Sequence, residues 1–246
     1  MSLPLTGKVS LVTGASRGIG AATAIRLARL GSDVVVNYRS KRPRAEQVCQ
    51  DILGSGRRAI AVQADLTLAS ELEAMMAVIR QSFERLHILV LNASGGLEQG
   101  KAVDYAMSLN HTAQLQTARL AAPLIPRGGR IVFVTSHWAH FYGQKPVAPG
   151  YEVVAISKHA GEQALRAYAS ELAELGISLI IVSGDMIEGT ITPRLLERKN
   201  RGLLKHRRTQ SQKLPDVNEF AEAIAAAASD PSLPSGHTIF VGTTDY

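Results

Sequence analysis

The sequence predicts a doubly wound α/β fold, a parallel sheet of about seven strands with helices on both faces. Two observations predict it. Short, continuously apolar runs alternate with longer helical stretches along all 246 residues, as a sheet covered on both faces requires. The first run also leads directly into a glycine-rich turn, Leu11 to Gly20 (LVTGASRGIG), and then a helix. A second strand follows at βαβ spacing, so the architecture is of the Rossmann type.

In chain order the expected strands are VSLVTG, DVVVNY, AIAVQAD, ILVLNA, RIVFVTS, SLIIVSG and TIFVG. Helices are expected at 20–30, 43–54, 70–85, 104–123, 151–175 and 216–228. No repeat, linker or low-complexity tract divides the chain, so residues 1–246 read as one domain. A hydrophobic content of 46% supplies a core. No apolar run approaches the length of a membrane span, and MSLPLTGKVS lacks the pattern of a signal peptide. A cytoplasmic protein without membrane association is therefore expected. The single cysteine, Cys49, lies in the amphipathic EQVCQDIL and reads as a packing residue.

Gly14, Gly18 and Gly20 stand where a strand turns sharply into a helix. Glycine allows the tight turn and close backbone approach to a pyrophosphate, which the helix N-terminus holds through free N–H groups. The second strand then ends in Asn37-Tyr38-Arg39-Ser40-Lys41-Arg42 without an acid. A carboxylate there would bond a ribose 2′-hydroxyl, whereas a 2′-phosphate needs cations. Arg17 and Arg39 supply guanidinium groups suited to phosphate, so the expected cofactor is NADPH/NADP+. A solvated basic loop is the alternative, above all for Lys41 and Arg42.

The form TGASRGIG resembles the short-chain dehydrogenase/reductase superfamily, and further motifs follow in that family's order: Asp65-Leu66 in QADL, Asn92-Ala93-Ser94, Asn110 in MSLN, Ser136, and Ser157-Lys158. Leu91 and Ser94 replace the family's first Asn and its Gly. The resemblance implies a cofactor site formed by Gly14, Ser16, Arg17, Gly18, Ile19, Gly20, Asn37, Tyr38, Arg39, Ser40, Asp65, Leu66, Asn92, Ala93, Ser94 and Lys158. It also implies that Ile187, Thr190 and Gly184 form the clasp on the nicotinamide. The family's Pro-Gly is here Ser183-Gly184, and the threonine comes two residues later. A dimer or tetramer is the family's habit.

The family places its catalytic tyrosine four residues before the lysine. Here that residue is Val154, and Tyr151 stands seven before Lys158. Seven residues are nearly two helical turns, so the two share a face about 10 Å apart along the axis. The spacing resembles enoyl-acyl-carrier-protein reductases, with VNYRSKRPRAEQ, NASGG and YEVVAISK closest to an NADPH-using branch. YEVVAISK and SGDMIEGT resemble angucycline-type polyketide ketoreductases more loosely. The catalytic set implied is Ser136, Tyr151, Lys158 and Asn110: hydroxyl, general acid, ribose-holding cation that depresses the phenol's pKa, and water-relay residue. A packing role for Tyr151 is the alternative. Retention of Ser136 favours carbonyl reduction over enoyl reduction.

Between Ser136 and Tyr151 the loop HWAHFYGQKPVAPG is about five residues longer than the family's usual one. Trp138, Phe141 and Tyr142 suit a wall for a flat conjugated substrate. His137 and His140 are further candidate proton donors or plain polar lining. No His, Cys or carboxylate cluster has metal-ligand spacing, so no metal is expected. Residues 188–214 correspond to the family's substrate lid. Glu188 to Lys213 carries eight Lys/Arg and two Glu, which is the whole formal excess of +6. That charge reads either as a solvated lid or as a dock for an acidic acyl carrier protein. No motif or aromatic stripe pairs it with nucleic acid. The expected activity is NADPH-dependent reduction of a ketone on a flat, polyketide-like small molecule. Enoyl-thioester reduction and a catalytically silent NADP(H)-binding sensor are the alternatives.

Overall fold

The computed structural model describes residues 3–97, 104–211 and 213–245; the termini and position 212 of the expected lid lie outside them. Seven strands form one parallel sheet: β1 Val9–Val12, β2 Asp33–Tyr38, β3 Ala59–Gln63, β4 Ile88–Leu91, β5 Arg130–Ser136, β6 Ser178–Gly184 and β7 Thr238–Val241. Their order is β3-β2-β1-β4-β5-β6-β7. The chain therefore reverses its direction of winding between β1 and β4, and the carboxyl ends of those strands open a crevice.

Helices α1 Gly18–Arg29 and α2 Arg42–Leu53 cover one face of the sheet, together with α10 Val217–Ser229. Helix α3 Ala69–Phe83 and the long α7 Glu152–Glu174 cover the other. The expected helix at 104–123 is interrupted. Short α4, Tyr105–Met107, passes through a π-helical turn, Ser108–Thr112, into α5, Ala113–Ala121, and ends in a 3₁₀ turn. A π turn widens the helix by one residue, and here it sets Asn110 toward α7.

Beyond β5 lies α6 His137–His140, a single turn where a loop is expected, and beyond β6 lie α8 Ile191–Lys199 and α9 Leu203–Ser211. The two faces of the sheet carry separate apolar cores. Leu11, Leu89, Ile131 and Ile181 point to one; Val12, Val90, Val132 and Ile180 point to the other. That strict alternation is the pleat of strands buried on both sides. A third, smaller cluster joins Trp138, Tyr151, Val154, Met186, Leu196 and Leu214 at the carboxyl end of β5 and β6.

Candidate active site

The turn after β1 is braced by side chains rather than by packing alone. Thr13 Oγ1 donates to the carbonyl of Val90 at 3.2 Å and accepts from the amides of Asn92 at 2.9 Å and Ala93 at 3.0 Å. Asn92 Nδ2 donates to the carbonyl of Thr13 at 2.8 Å. Asn37 Oδ1 accepts from Gly14 N at 3.1 Å, and its amide nitrogen donates to the carbonyl of Ala64 at 3.2 Å. Asn37 and Asn92 thus hold the loop's shape from behind. Thr13 shares that work and escaped the sequence reading, although it directly precedes the glycines.

Two glycines here are required by geometry. Gly18 has φ of +57°, and a Cβ on it would meet nothing within 4 Å. A Cβ on Gly20 would lie 2.6 Å from Asn92 Nδ2 and 2.7 Å from the Gly14 carbonyl oxygen. Helix α1 opens without a side-chain cap, so its first N–H groups are available to an anion. These features fit a dinucleotide pyrophosphate.

A cavity of about 660 Å³ lies over this turn. It is lined by Gly14, Ser16, Arg17, Gly18, Ile19, Gly20, Asn37, Tyr38, Arg39, Ser40, Asp65, Leu66, Asn92, Ala93 and Ser94, together with Lys41, Arg44, Tyr105, Thr190 and Arg194. Arg17, Arg39, Lys41, Arg44 and Arg194 make no ion pair with a carboxylate among the described residues. Arg39 donates to the Tyr105 hydroxyl across the mouth of the cavity. Asp65 accepts from the Thr67 amide at 3.0 Å and hydroxyl at 2.7 Å, an Asx turn that fixes the rim.

The larger cavity adjoins a smaller one of about 190 Å³, and Arg17, Ile19, Asn92, Ser94, Thr190 and Ile191 line both. Ser136, Tyr151 and Lys158 meet on its wall, beside Val154, Trp138, Leu97, Met186, Ile187 and Leu195. Tyr151 caps the start of α7, and its phenol donates to Ser136 Oγ at 3.2 Å. Its ring lies 5.1 Å from that of Trp138, tilted by 58°. Burial raises the Tyr151 pKa, and the Ser136 hydroxyl pulls it partly back. Burial alone lowers that of Lys158 to about 8. In this structure Ser136, rather than Lys158, is the neighbour that favours the phenolate.

Asn110 braces the site through its side chain. Its Nδ2 donates to the Gly95 carbonyl at 2.8 Å and to Ser157 Oγ at 2.9 Å, while Oδ1 accepts from Gly95 N at 3.2 Å. The side chain ties the loop after β4 to α7. Its carbonyl packs closely against α7: a Cβ on Gly161 would stand 2.1 Å from it.

Several expectations are corrected by packing. Phe141 does not line the cavity; it stacks on Phe240 of β7 at 5.5 Å with the rings 13° apart. Tyr142 turns outward against His159. Of the expected aromatic wall only Trp138 faces the cavity, because α6 turns the chain away after one helical turn. Gly184 is buried in β6 beneath Phe220, whose ring a Cβ there would meet at 2.7 Å. It lines neither cavity, whereas Ile187 and Thr190 do. His137 is buried beside Ser183 at 2.8 Å, and burial with the nearby Arg207, His140 and Lys145 charges lowers its pKa to about 4. His140 pairs with Glu162 at 2.8 Å. Neither histidine reaches the cavity.

The sequence reading also missed a buried ion pair. Asp185, on the wall of the smaller cavity, accepts from Arg207 Nε and Nη2 of α9, both at 2.9 Å. Arg207 also donates to the carbonyl of Thr243 at 3.2 Å. Arg207 therefore staples α9 and the last residues to the end of β6, and is no part of an exposed basic surface. Arg208 pairs with Glu188 at 2.7 Å in the open. Nothing in the sequence distinguished Arg207 from its charged neighbours.

Comparison with known proteins agrees with this geometry. The family model for short chain dehydrogenase matches residues 8–200. The hydroxynaphthalene reductase arp2 of Aspergillus fumigatus is 37% identical over 185 residues, covering 72% of this chain and 65% of that protein. A short chain dehydrogenase from Burkholderia cenocepacia, solved in complex with NADP, superposes with a TM-score of 0.84 at 31% identity over 97% of each chain. The angucycline C-6 ketoreductase LanV, solved with bound NADP, gives 0.82 at 28% identity over 99% of this chain and 98% of that one. The chain belongs to the short-chain dehydrogenase/reductase family.

Proposed function

We propose that this protein is an NADPH-dependent ketoreductase acting on a flat, conjugated, polyketide-like small molecule. The observation that carries the reading is the Tyr151–Ser136 hydrogen bond on the wall of an apolar cavity shared with Lys158 and Trp138. The names of relatives support the substrate class: arp2 is a hydroxynaphthalene reductase and LanV an angucycline ketoreductase. NADP in the Burkholderia and LanV structures supports the cofactor, as do Arg17 and Arg39 at a strand end without an acid.

Bound NADPH supplies the hydride. Ser136 accepts from Tyr151, so its own hydroxyl hydrogen is free to orient a substrate oxygen. Tyr151 gives its phenolic proton to that oxygen as negative charge develops there. Lys158, charged below about pH 8, lines the same cavity and would hold the cofactor's ribose. Trp138, Leu97 and Met186 exclude water and offer flat apolar surface. In the same reading the protein works as a homo-oligomer, which would cover the exposed Val153 and Ile156 of α7.

The Tyr-x₆-Lys spacing favours a second reading, enoyl-thioester reduction on an acyl carrier protein. NADPH oxidation measured with a panel of fused-ring aromatic ketones and a panel of enoyl thioesters separates the two. Turnover of ketones with little on enoyl thioesters is expected; the reverse overturns the proposal.

A further inference from the structure

The residues read as catalytic are divided between two helices. Ser136 caps the start of α6 and Trp138 lies within it, whereas Tyr151 caps the start of α7 and Lys158 lies inside that helix. Helix α6 has four residues, too few to hold its shape by its own hydrogen bonds. Two side chains of α7 fix it in place. His159, the residue after Lys158, donates from Nδ1 to the Ala139 carbonyl at 2.9 Å. One turn beyond Lys158, Glu162 Oε1 accepts from His140 Nδ1 at 2.8 Å. The His140 ring is set edge-on against Phe141 and Phe240, with centroids 4.9 and 5.1 Å away.

Glu162 is itself held from behind. Its Oε1 also accepts from Arg166 Nε at 3.0 Å, and Arg166 is anchored at β7, donating to the Gly236 carbonyl at 3.1 Å and to Thr238 Oγ1 at 2.8 Å. Burial pushes the Glu162 carboxyl pKa up, and His140 and Arg166 together hold it below the usual range. A buried carboxylate is costly, and an apolar side chain of similar volume often packs as well or better. Glu162 is buried, and its Oε2 has no partner among the described residues. What this carboxylate contributes is therefore direction rather than stability: it fixes where His140, and with it the turn of α6, stands on α7. We propose that Glu162, acting through His140, is a positioning residue for the reduction, setting α6 on α7 so that Ser136 and Trp138 meet Tyr151. The proposal rests on the reading of Ser136 and Tyr151 as the ketone-reducing pair.

Glu162→Leu, Glu162→Gln, His140→Leu and the double variant Glu162→Leu with His140→Leu are compared with the unmodified protein. The readouts are kcat and KM for a fused-ring ketone, the NADPH dissociation constant, Tm, and the emission of Trp138, the chain's one tryptophan. Glu162→Leu is expected to lower kcat by up to about 10²-fold, the scale of a misplacement of about 1 Å. It should also shift the Trp138 emission, with NADPH affinity and Tm unchanged. Glu162→Gln, whose amide oxygen still accepts from His140, is expected to recover most of the kcat and the unmodified emission. His140→Leu should match Glu162→Leu, and the double variant should lose no more than either, because one interaction is removed in all three. Unchanged kcat and emission in Glu162→Leu overturns the proposal. A loss shared equally by Glu162→Gln, or additive in the double variant, overturns it too. If Glu162→Leu does not fold, His140→Leu and Glu162→Gln decide by the same readouts. Should the unmodified protein reduce no ketone, the proposed function falls, and the Trp138 emission across these variants decides the positioning role alone.

Discussion

The Tyr151 phenol and the Ser136 hydroxyl lie 3.2 Å apart, joining the first residue of the turn into α7 to the last residue of β5. The contact places a phenol on the cavity that Val154, at the customary tyrosine position, faces with only an apolar side chain. Tyr151→Phe is expected to lower kcat by 10²–10⁴-fold, the usual cost of a general acid, with the NADPH dissociation constant unchanged. Near-normal turnover of Tyr151→Phe in a steady-state assay would assign the proton to another group.

Lys158 is expected to set the alkaline limit. Burial lowers its pKa to about 8, so the ammonium proposed to hold the cofactor's ribose is lost as pH rises through that value. The pH profile of kcat/KM, which reports the free enzyme, is expected to fall above about pH 8. In Lys158→Arg, whose charge persists, that limb is expected to disappear. A profile flat to pH 10 in the unmodified protein would contradict the assignment.

Trp138 holds the Tyr151 ring at 5.1 Å and is the chain's one tryptophan. An aromatic pair of this kind contributes about 0.5–1.5 kcal/mol beyond area burial. Trp138→Leu is expected to lower kcat by about tenfold and raise KM for flat ketones. Binding of a flat ketone should quench the intrinsic fluorescence of Trp138 in the unmodified protein. A titration that leaves this emission unchanged would remove Trp138 from the substrate wall.

Arg17 and Arg39 face the larger cavity without a carboxylate partner among the described residues. Changing both to Ala is expected to weaken NADPH by about 1.5–3 kcal/mol per lost contact at most and to spare NADH. Calorimetric titration with each dinucleotide tests this. Equal affinities in the unmodified protein would refute the NADPH assignment.

The Asp185–Arg207 pair is a matter of stability rather than steering. Arg207→Met leaves the Asp185 carboxylate buried without its partner, and breaking such a pair costs about 3–5 kcal/mol. The urea midpoint should fall accordingly, and Asp185→Asn combined with Arg207→Met should recover part of the loss. Association with an acidic carrier, if measured, should respond to Arg198 and Arg201 and not to Arg207 except through unfolding.

The sheet, its winding and its glycine turn were legible in the chain because each rests on local physics: apolar runs buried on both faces, and glycines where a Cβ would collide or bend wrongly. All seven strands fall within the expected runs, and Ser136, Tyr151 and Lys158 do share a cavity. What a side chain faces within a loop was decided by tertiary packing. Phe141 is drawn to Phe240, almost a hundred residues away in sequence, and Tyr142 to His159, so neither reaches the cavity that their spacing with Trp138 implied. Arg207 and Arg208 are adjacent and chemically alike, yet one is buried against Asp185 and the other pairs with Glu188 in solvent. Helical phase separates them by 100°, and only the placement of α9 over β6 determines which of the two points inward.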